Sequence, residues 1–481
     1  MGDPKGFLKV KRACSLYRPV CERVKDHNWV SVPRSEESAT DQASRCMDCG
    51  TPFCHWGCPV GNYIPEWNDL MFHGEWKKAF ELLNATNNLP EITGRICPAP
   101  CEYACVLAIN DDAVTIRENE LSVIEWAFGS RYIKPRPPEK RTGKSVAVIG
   151  SGPAGIACAD QLNKAGHKVT VFEKHDRAGG IMRYGIPDFK LEKNIIDRRI
   201  NILKKEGIRF TISTDVGTDY KTSRLLKDFD AICLAGGSRQ PRDLKVEGRE
   251  LRGIHFAMDY LIQSNQAVAG KKIDPKDIIS AKGKKVLVIG GGDTGADCVG
   301  TANRQGASCV AQIEVLDKPS DCRTAEFPWP KYPVIFKTST SHEEGGERSW
   351  SVLTKKFSGK DGAVKKAHCI RLDFSQRDTK NCPIMKEVPK TEFEIEADLV
   401  ILAIGFLHPE HNGLLNELGI DFDHRGNVKT DENYMTSRKG VFAAGDMRRG
   451  QSLIVWAIAE GRRAAHNIDK HLSGESFLPN L

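Results

Sequence analysis

Long hydrophobic runs are missing from these 481 residues. The longest apolar stretches, such as LVILAIG (399–405), are strand-sized, so none reaches the length of a membrane span. The opening MGDPKGFLKVKR lacks the apolar core of a secretory signal, and Gly6 stands where a myristoylation pattern needs Ser or Thr. A cytoplasmic location is expected, and with it sixteen reduced cysteines unless they bind metal. A large charge excess is also missing: the net charge is +7. Its densest basic cluster, RYIKPRPPEKRTGK (131–144), alternates with prolines and reads as a stiff linker. Basic residues on a helix face or among stacking aromatics would point to nucleic acid, and that class of partner is excluded.

What is present is a globular composition, 40% apolar and 28% charged, with room for about three domains. The pattern changes near residue 140. Before it the chain is rich in Cys, Trp and Pro. In YIPEWNDLMFHGEWKKAFELLNA (63–85) an apolar helical face of Trp67, Leu70, Met71, Trp76, Phe80 and Leu83 is interrupted by Gly74, which predicts two short helices. After residue 140 strands and helices alternate, as in doubly wound α/β folds.

Two segments repeat one design: KSVAVIGSGPAGIACADQLNKAGHKVTVFEK (144–174) and KKVLVIGGGDTGADCVGTANRQGASCVAQIEVLDK (284–318). Each reads as a buried strand, a glycine loop, a helix, and a second strand ending in an acid. Gly150 permits the tight turn, Gly152 lets backbone approach a pyrophosphate, and Gly155 lets helix pack on strand, with Pro153 and Ala154 opening the helix. Glu173 is placed to bond a ribose hydroxyl. Gly290, Gly292, Asp293, Thr294 and Gly295 repeat the loop, and Asp317 is expected to match Glu173. An acid there favours NADH, whereas Lys318 or Arg323 would suit the 2′-phosphate of NADPH, so both nucleotides stay open.

The thiols fall in two runs. Cys46, Cys49, Cys54 and Cys58 are followed by Pro59, and Cys97, Cys101 and Cys105 form ICPAPCEYAC. Zinc would favour two separated C-x2-C pairs, and only one exists. Close spacing with a terminal Cys-Pro matches iron–sulfur ligation, in which the last cysteine of a run serves a second cluster. Seven thiolates are one short of two four-iron clusters. Cys158, Cys233, Cys298, Cys309, Cys322, Cys369 and Cys382 are scattered and read as small core residues.

The first glycine loop, the segment RAGGIMRYGIPDFKL (177–191) with Gly180 and Arg183, and the tail GVFAAGDMRRGQSLIVWAI resemble the FAD domain of two-dinucleotide flavoprotein reductases. That resemblance implies FAD contacts from Gly445, Asp446, Gln451 and Ser452, and leaves the second loop to NAD(P)H. AGGS (235–238) and AIGF (403–406) would be the crossings between the two nucleotide domains. Taken end to end, through DHNWVSVPRSEESATDQASRCMDCGTPFC, GRICPAPCEYACVL, VTIRENE and GGGDTGADCVGTANRQGA, the chain is similar to the glutamate synthase small (beta) subunit family, whose modules recur in dihydropyrimidine dehydrogenase.

The resemblance implies one 4Fe-4S cluster on Cys46, Cys49, Cys54 and Cys105. A second would lie on Cys58, Cys97, Cys101 and Glu120, with Cys14 or Cys21 as substitutes for Glu120. The expected architecture is α/β: an N-terminal α-helical iron–sulfur domain over 1–140, an FAD domain in two parts (141–270 and 401–481), and a Rossmann-like NAD(P)H domain inserted between them (271–400). Hydride from NADPH, or NADH, would enter at FAD and leave as single electrons through the clusters, with no acid–base pair supplied by the protein. The implied partner is a large (alpha) subunit carrying the glutaminase, since this chain begins Met-Gly-Asp and has no segment of amidotransferase pattern. Two other readings remain at this point: a diaphorase subunit serving a ferredoxin- or hydrogenase-type acceptor, and a non-catalytic relay or assembly subunit. A zinc-stabilised binding module would be colourless and free of iron.

Overall fold

The computed structural model describes residues 3–379 and 382–480. The N-terminal domain is helical apart from a two-stranded ribbon pairing Leu16–Tyr17 with Ser31–Val32. Among its helices are α1 (Phe53–Gly57), α2 (Ile64–Phe72), α3 (Trp76–Thr86), α4 (Pro90–Ile96), α5 (Pro100–Tyr103) and α6 (Ile116–Gly129). Gly74, at φ +73°, turns the chain between α2 and α3, as the broken apolar pattern predicts. Trp67, Met71, Phe80 and Leu83 meet the buried face of α6 there, and burying side chains of this size contributes roughly 1.5–3 kcal/mol each.

Two parallel sheets follow. The first contains β1 (Ser145–Ile149), β2 (Lys168–Phe172), β3 (Arg209–Thr211) and β4 (Ala231–Leu234). The second contains β5 (Ile254–Phe256), β6 (Lys285–Ile289), β7 (Cys309–Ile313), β8 (Glu347–Ser349) and β11 (Leu399–Leu402), whose chain runs between through the antiparallel pair β9 (Val352–Lys360) and β10 (Ala363–Asp373). Strand β12 (Val441–Ala443) then returns to the first sheet, giving the orders β12-β4-β1-β2-β3 and β8-β7-β6-β11-β5. The central strands are apolar on both faces because helices cover one side and helices or the β9–β10 layer the other.

The insertion of one nucleotide domain into the other is therefore seen, but the sheets set its limits differently from 271 and 400. Strand β5 pairs with β11, so Ile254–Phe256 belongs to the inserted sheet, and that sheet extends through Leu402. Both expected crossings are present and lie side by side. Gln240 and Arg242 donate to the carbonyls of His408 and Gly405 at 2.9 Å each.

The helical domain packs on the first sheet's helices, α7 (Pro153–Lys164) and α10 (Ile454–Ser473). Arg462 of α10 donates to Asn88 Oδ1 and Ala85 O at 2.7 Å. Glu91, fully buried in α4, accepts a two-pronged bond from Arg199 at 2.7 and 2.8 Å. The basic linker is tied down too: Arg141 bonds Asn163 Oδ1 and the His167 carbonyl at 2.8 and 2.7 Å. Among the described residues no helix is long and apolar enough to cross a membrane.

Candidate redox site

The two glycine loops fold alike, and each has the shape of a phosphate cradle. In the first, a Cβ on Gly150 would meet the Ala235 carbonyl oxygen at 2.5 Å, and one on Gly155 would lie 2.0 Å from the Gly150 oxygen. In the second, a Cβ on Gly290 would meet the Ala403 oxygen at 2.2 Å, and one on Gly295 the Gly290 oxygen at 2.2 Å. The middle glycines, Gly152 and Gly292, face open space within 4 Å, which is the approach a pyrophosphate needs. Each loop runs into a twelve-residue helix, α7 or α9 (Asp293–Arg304), whose first N–H groups are free to meet the anion. Burial separates the two cradles. Ser151, Pro153 and Ala154 are buried, whereas Gly291, Gly292 and Asp293 are exposed and Thr294 is half-exposed. An enclosed cradle suits a resident nucleotide, and an open one suits a nucleotide that exchanges.

The acid that matches Glu173 is Glu314, not Asp317. Glu173 accepts from Ser151 N at 3.2 Å and from His175 N at 2.9 Å. Glu314 likewise accepts from Gly291 N and, at 3.0 Å, from Leu316 N. Strand β6 starts at Lys285 opposite Cys309, whereas β1 starts at Ser145 opposite Lys168. The second crossover is thus one residue longer, and that spacing was the signal in the sequence. Asp317 instead accepts a bond from Ser351 Oγ. Arg323 is engaged with the carbonyls of Phe327, Lys331 and Tyr103, so it braces the loop against the helical domain. Lys318 lies with its Nζ 4.4 Å from the Phe336 ring centroid and 5.9 Å from Trp350. Arg348, which the sequence did not single out, sits over the same two rings at 4.6 and 5.2 Å.

Around the first cradle, Gly180 (φ +53°) packs on Gly152, where a Cβ would come within 2.7 Å of the Gly152 Cα. Arg183 is taken up by Ala178 O at 3.0 Å and by Asp197, so it braces this turn. Gly445 (φ +70°) abuts Ala154 and donates to buried Glu460 at 2.9 Å. Gln451 accepts from Phe406 N at 3.2 Å, joining the tail to the crossing. Asp446 accepts from Ser452 Oγ at 3.0 Å, and burial pushes its carboxyl up to about 6 against that bond.

The Asp446 shift has a sign that can be measured on flavin-free protein. The folded carboxyl holds its proton more tightly than the unfolded one, so its contribution is full below its ordinary value of 3.8 and is lost as pH rises to about 6. Asp446→Asn escapes that loss. Its urea-unfolding stability should gain on the unsubstituted protein between these limits, levelling above pH 6 at about 3 kcal/mol. A pH-independent difference would contradict the shift.

The thiols form two groups that interleave along the chain. Cys46, Cys49, Cys54 and Cys105 act on one another electrostatically and line one cavity with Met47, Phe53, Leu107 and Ile116. Cys58, Cys97, Cys101 and Glu120 form the other group. Burial, reinforced by neighbouring thiols, raises the Cys46 thiol to about 12, and burial with Glu120 nearby raises Cys58 to about 11. Glu120 is buried on α6, accepts from Asn87 Nδ2 at 3.0 Å and from Thr93, and is pushed by burial up to about 8. Among the described residues no three His, Cys, Asp or Glu side chains are arranged to hold a single metal ion. Four soft donors spread around one enclosed space instead suit a multi-iron cluster, whose charge would make their deprotonation favourable. Cys14 and Cys21 are exposed, unlike the members of either group, which are buried or half-buried. Of the scattered cysteines, Cys158, Cys233, Cys298 and Cys369 are buried as expected, while Cys309, Cys322 and Cys382 are exposed.

If Glu120 completes the second group, Glu120→Ala should lower iron content by about half while Glu120→Gln retains most of it. Full iron in Glu120→Ala would make the carboxylate a core hydrogen-bond acceptor only.

Comparison with known proteins agrees with this layout. Residues 23–132 match the family model described as dihydropyrimidine dehydrogenase domain II, 4Fe-4S cluster, and residues 144–328 and 364–461 match pyridine nucleotide-disulphide oxidoreductase. The chain is 53% identical over 485 residues to "Glutamate synthase [NADPH] small chain" of Mycobacterium tuberculosis, covering 100% of this chain and 98% of that one. It is 46% identical over 487 residues to "Glutamate synthase [NADH]" of Schizosaccharomyces pombe, covering 99% of this chain but 23% of that polypeptide. In fold it is similar to the solved structure of Mycobacterium tuberculosis FprA in complex with NADPH, with TM-score 0.56 and 17% identity, over 69% of this chain and 85% of the other.

Proposed function

The chain belongs to the glutamate synthase small-chain family, and from that premise we propose that it is the electron-input chain of a glutamate synthase. NADPH binds at the open cradle on Gly290, Gly292, Thr294 and Gly295. FAD resides in the enclosed one on Gly150, Gly152, Pro153, Ala154 and Gly155, with Glu173, Asp446 and Ser452 around it. Two 4Fe-4S clusters occupy the interleaved groups of the helical domain. When bound, flavin takes two electrons as a hydride and gives them up singly, which is the exchange that a nicotinamide and an iron–sulfur cluster cannot make directly. The residues themselves bind, orient and exclude water, and none is needed as a general acid or base. The acceptor is a large chain that makes L-glutamate from 2-oxoglutarate and glutamine-derived ammonia, and the complex works in the cytoplasm.

One observation carries the reading: the full-length match to small chains, with both thiol groups and both cradles retained in one docked body. The Schizosaccharomyces pombe relative adds support for the partner, because this module makes up less than a quarter of that polypeptide. Anaerobic purification from the source cells, followed by mass spectrometry, tests it. A co-purifying chain with glutaminase and FMN domains is expected. A hydrogenase or ferredoxin-linked partner would leave the reductase chemistry standing and remove glutamate from the account.

Lys318 is the proposed holder of the 2′-phosphate, since it stands beyond Glu314 with the rings of Phe336 and Trp350 beneath its ammonium group. Lys318→Ala should raise the KM for NADPH about tenfold, the size of a charge-assisted contact, and leave that for NADH unchanged. Equal effects on the two nucleotides would assign the 2′-phosphate elsewhere.

A further inference from the structure

The two cradles differ beneath the turn. Gly150 donates its N–H to the Phe172 carbonyl and Gly290 donates to that of Ile313, both at 2.8 Å, so these strand positions correspond. One residue earlier β2 has Val171 and β7 has Gln312, and both are buried. A buried amide costs free energy unless its two ends are paired. Gln312 is paired at both. Its Nε2 donates to the Gly290 carbonyl at 2.8 Å, and its Oε1 faces His342 Nε2 at 2.8 Å. Val171, in the same place under the enclosed cradle, has no group that can bond a carbonyl.

Backbone groups at its two ends fix the protons of this chain. The Gly290 carbonyl can only accept, so the Gln312 amide nitrogen must face it and the amide oxygen must face His342. That oxygen also only accepts, so His342 Nε2 carries a proton. At the other side of the ring the Ser339 N–H, which can only donate, meets Nδ1 at 3.3 Å, and Ser339 Oγ lies at 3.0 Å. His342 is therefore neutral, with its proton on Nε2. Burial, with Arg348 and Lys190 nearby, lowers the ring to about 4 and keeps it uncharged at neutral pH. Ser339 opens the short helical turn Thr340–Glu343 ahead of β8, so the ring is held by an element outside the glycine loop. Gly290 itself, at φ +123°, begins the turn whose next N–H groups face the pyrophosphate.

We propose that Gln312 and His342 are positioning residues of the open cradle: they hold the Gly290 turn in its binding shape while the cradle is empty, and so set the affinity for a nicotinamide dinucleotide through its pyrophosphate. The inference rests on the assignment of that nucleotide to the Gly290 cradle. The Gly150 turn is kept in shape by a nucleotide that stays. A cradle that exchanges its nucleotide is empty once in every turnover and must hold its shape unaided. Preorganisation of this kind lowers the ordering cost of binding and leaves hydride transfer in the filled site unchanged. Both residues act through the Gly290 carbonyl, His342 by way of Gln312.

The test measures NADP+ and NAD+ binding by calorimetry, and flavin reduction by NADPH in anaerobic stopped flow, on the flavin- and iron-loaded full chain. His342→Leu and Gln312→Met keep much of the side-chain volume and remove the bonds. Each should weaken both nucleotides about tenfold, the size of one buried hydrogen bond, and leave the limiting rate of flavin reduction within about twofold. His342→Gln, which still offers an N–H to Gln312, should recover most of the affinity. The double variant should bind no more weakly than Gln312→Met alone, because His342 acts through Gln312. Unchanged affinity in both single variants, a loss for NADP+ alone, or losses that multiply in the double variant would overturn the proposal. Should His342→Leu and Gln312→Met not fold, NMR of the unsubstituted protein labelled with 15N-histidine decides, the signal missing from His342→Gln being that of His342. A neutral ring with its proton on Nε2 in both the empty and the NADP+-filled protein supports the proposal, and a ring that is charged or changes its form on filling overturns it. Normal NADP+ binding by Gly295→Val would instead remove the nucleotide assignment beneath it.

Discussion

Cys54→Ser is expected to abolish glutamate formation by the assembled enzyme while NADPH oxidation with ferricyanide continues at close to its normal rate. Cys54 belongs to the thiol group whose half-exposed members are Cys46 and Cys49, and its own thiol is pushed up by burial and by Cys46, Cys105 and Cys49. A serine hydroxyl is a poor soft-metal ligand, so one cluster should be lost or rebuilt as a smaller one. Ferricyanide is small enough to collect electrons at the flavin directly, whereas the large chain must receive them through the helical domain. Iron analysis, the ferricyanide rate and the glutamate rate on the same preparation check this. Parallel loss of both activities would mean that the variant damages the flavin site, and survival of both would mean that the first thiol group lies off the electron route.

The second large effect separates the two cradles. Valine at Gly155 would drive its Cβ to within 2.0 Å of the Gly150 oxygen and its γ carbons further into the turn. Gly155→Val protein should therefore purify without the yellow flavin and have no NADPH-driven activity of any kind. Gly295→Val meets the equivalent oxygen of Gly290 at 2.2 Å and Gln312 Nε2 at 2.6 Å. It should retain flavin and iron, be reduced normally by dithionite, and lose reduction by NADPH at least about a hundredfold. Absorbance of the purified proteins and anaerobic stopped-flow reduction read both. If Gly295→Val loses flavin and Gly155→Val keeps it, the nucleotides are assigned the wrong way round.

Much of this was legible in the residues, because glycine loops and close thiol spacings have few structural solutions. The apolar strands VAVI and VLVI, each ahead of its loop, placed both crossovers, and the crossings at AGGS and AIGF followed from the second loop interrupting the first domain. What sequence could not supply was register and partnership. Glu314 lies nineteen residues after Gly295, against eighteen from Gly155 to Glu173, whereas Asp317 lies twenty-two after it; the Asp317-Lys318 pair, which resembles Glu173-Lys174, drew the assignment away from the spacing. Arg183 and Arg323 carry charge in the right segments, but Asp197 and the Tyr103 carbonyl claim them, and only packing decides such competition. Ile254–Phe256 is too short to read as a strand until Leu399–Leu402 lies beside it.

The most direct measurement is NADPH oxidation by the purified chain mixed with its co-purifying large chain, followed anaerobically at 340 nm with each substrate omitted in turn. The account predicts that oxidation requires glutamine and 2-oxoglutarate together and yields L-glutamate in step with NADPH consumed. Oxidation that ignores both substrates while a ferredoxin or hydrogen-evolving partner is reduced would contradict it.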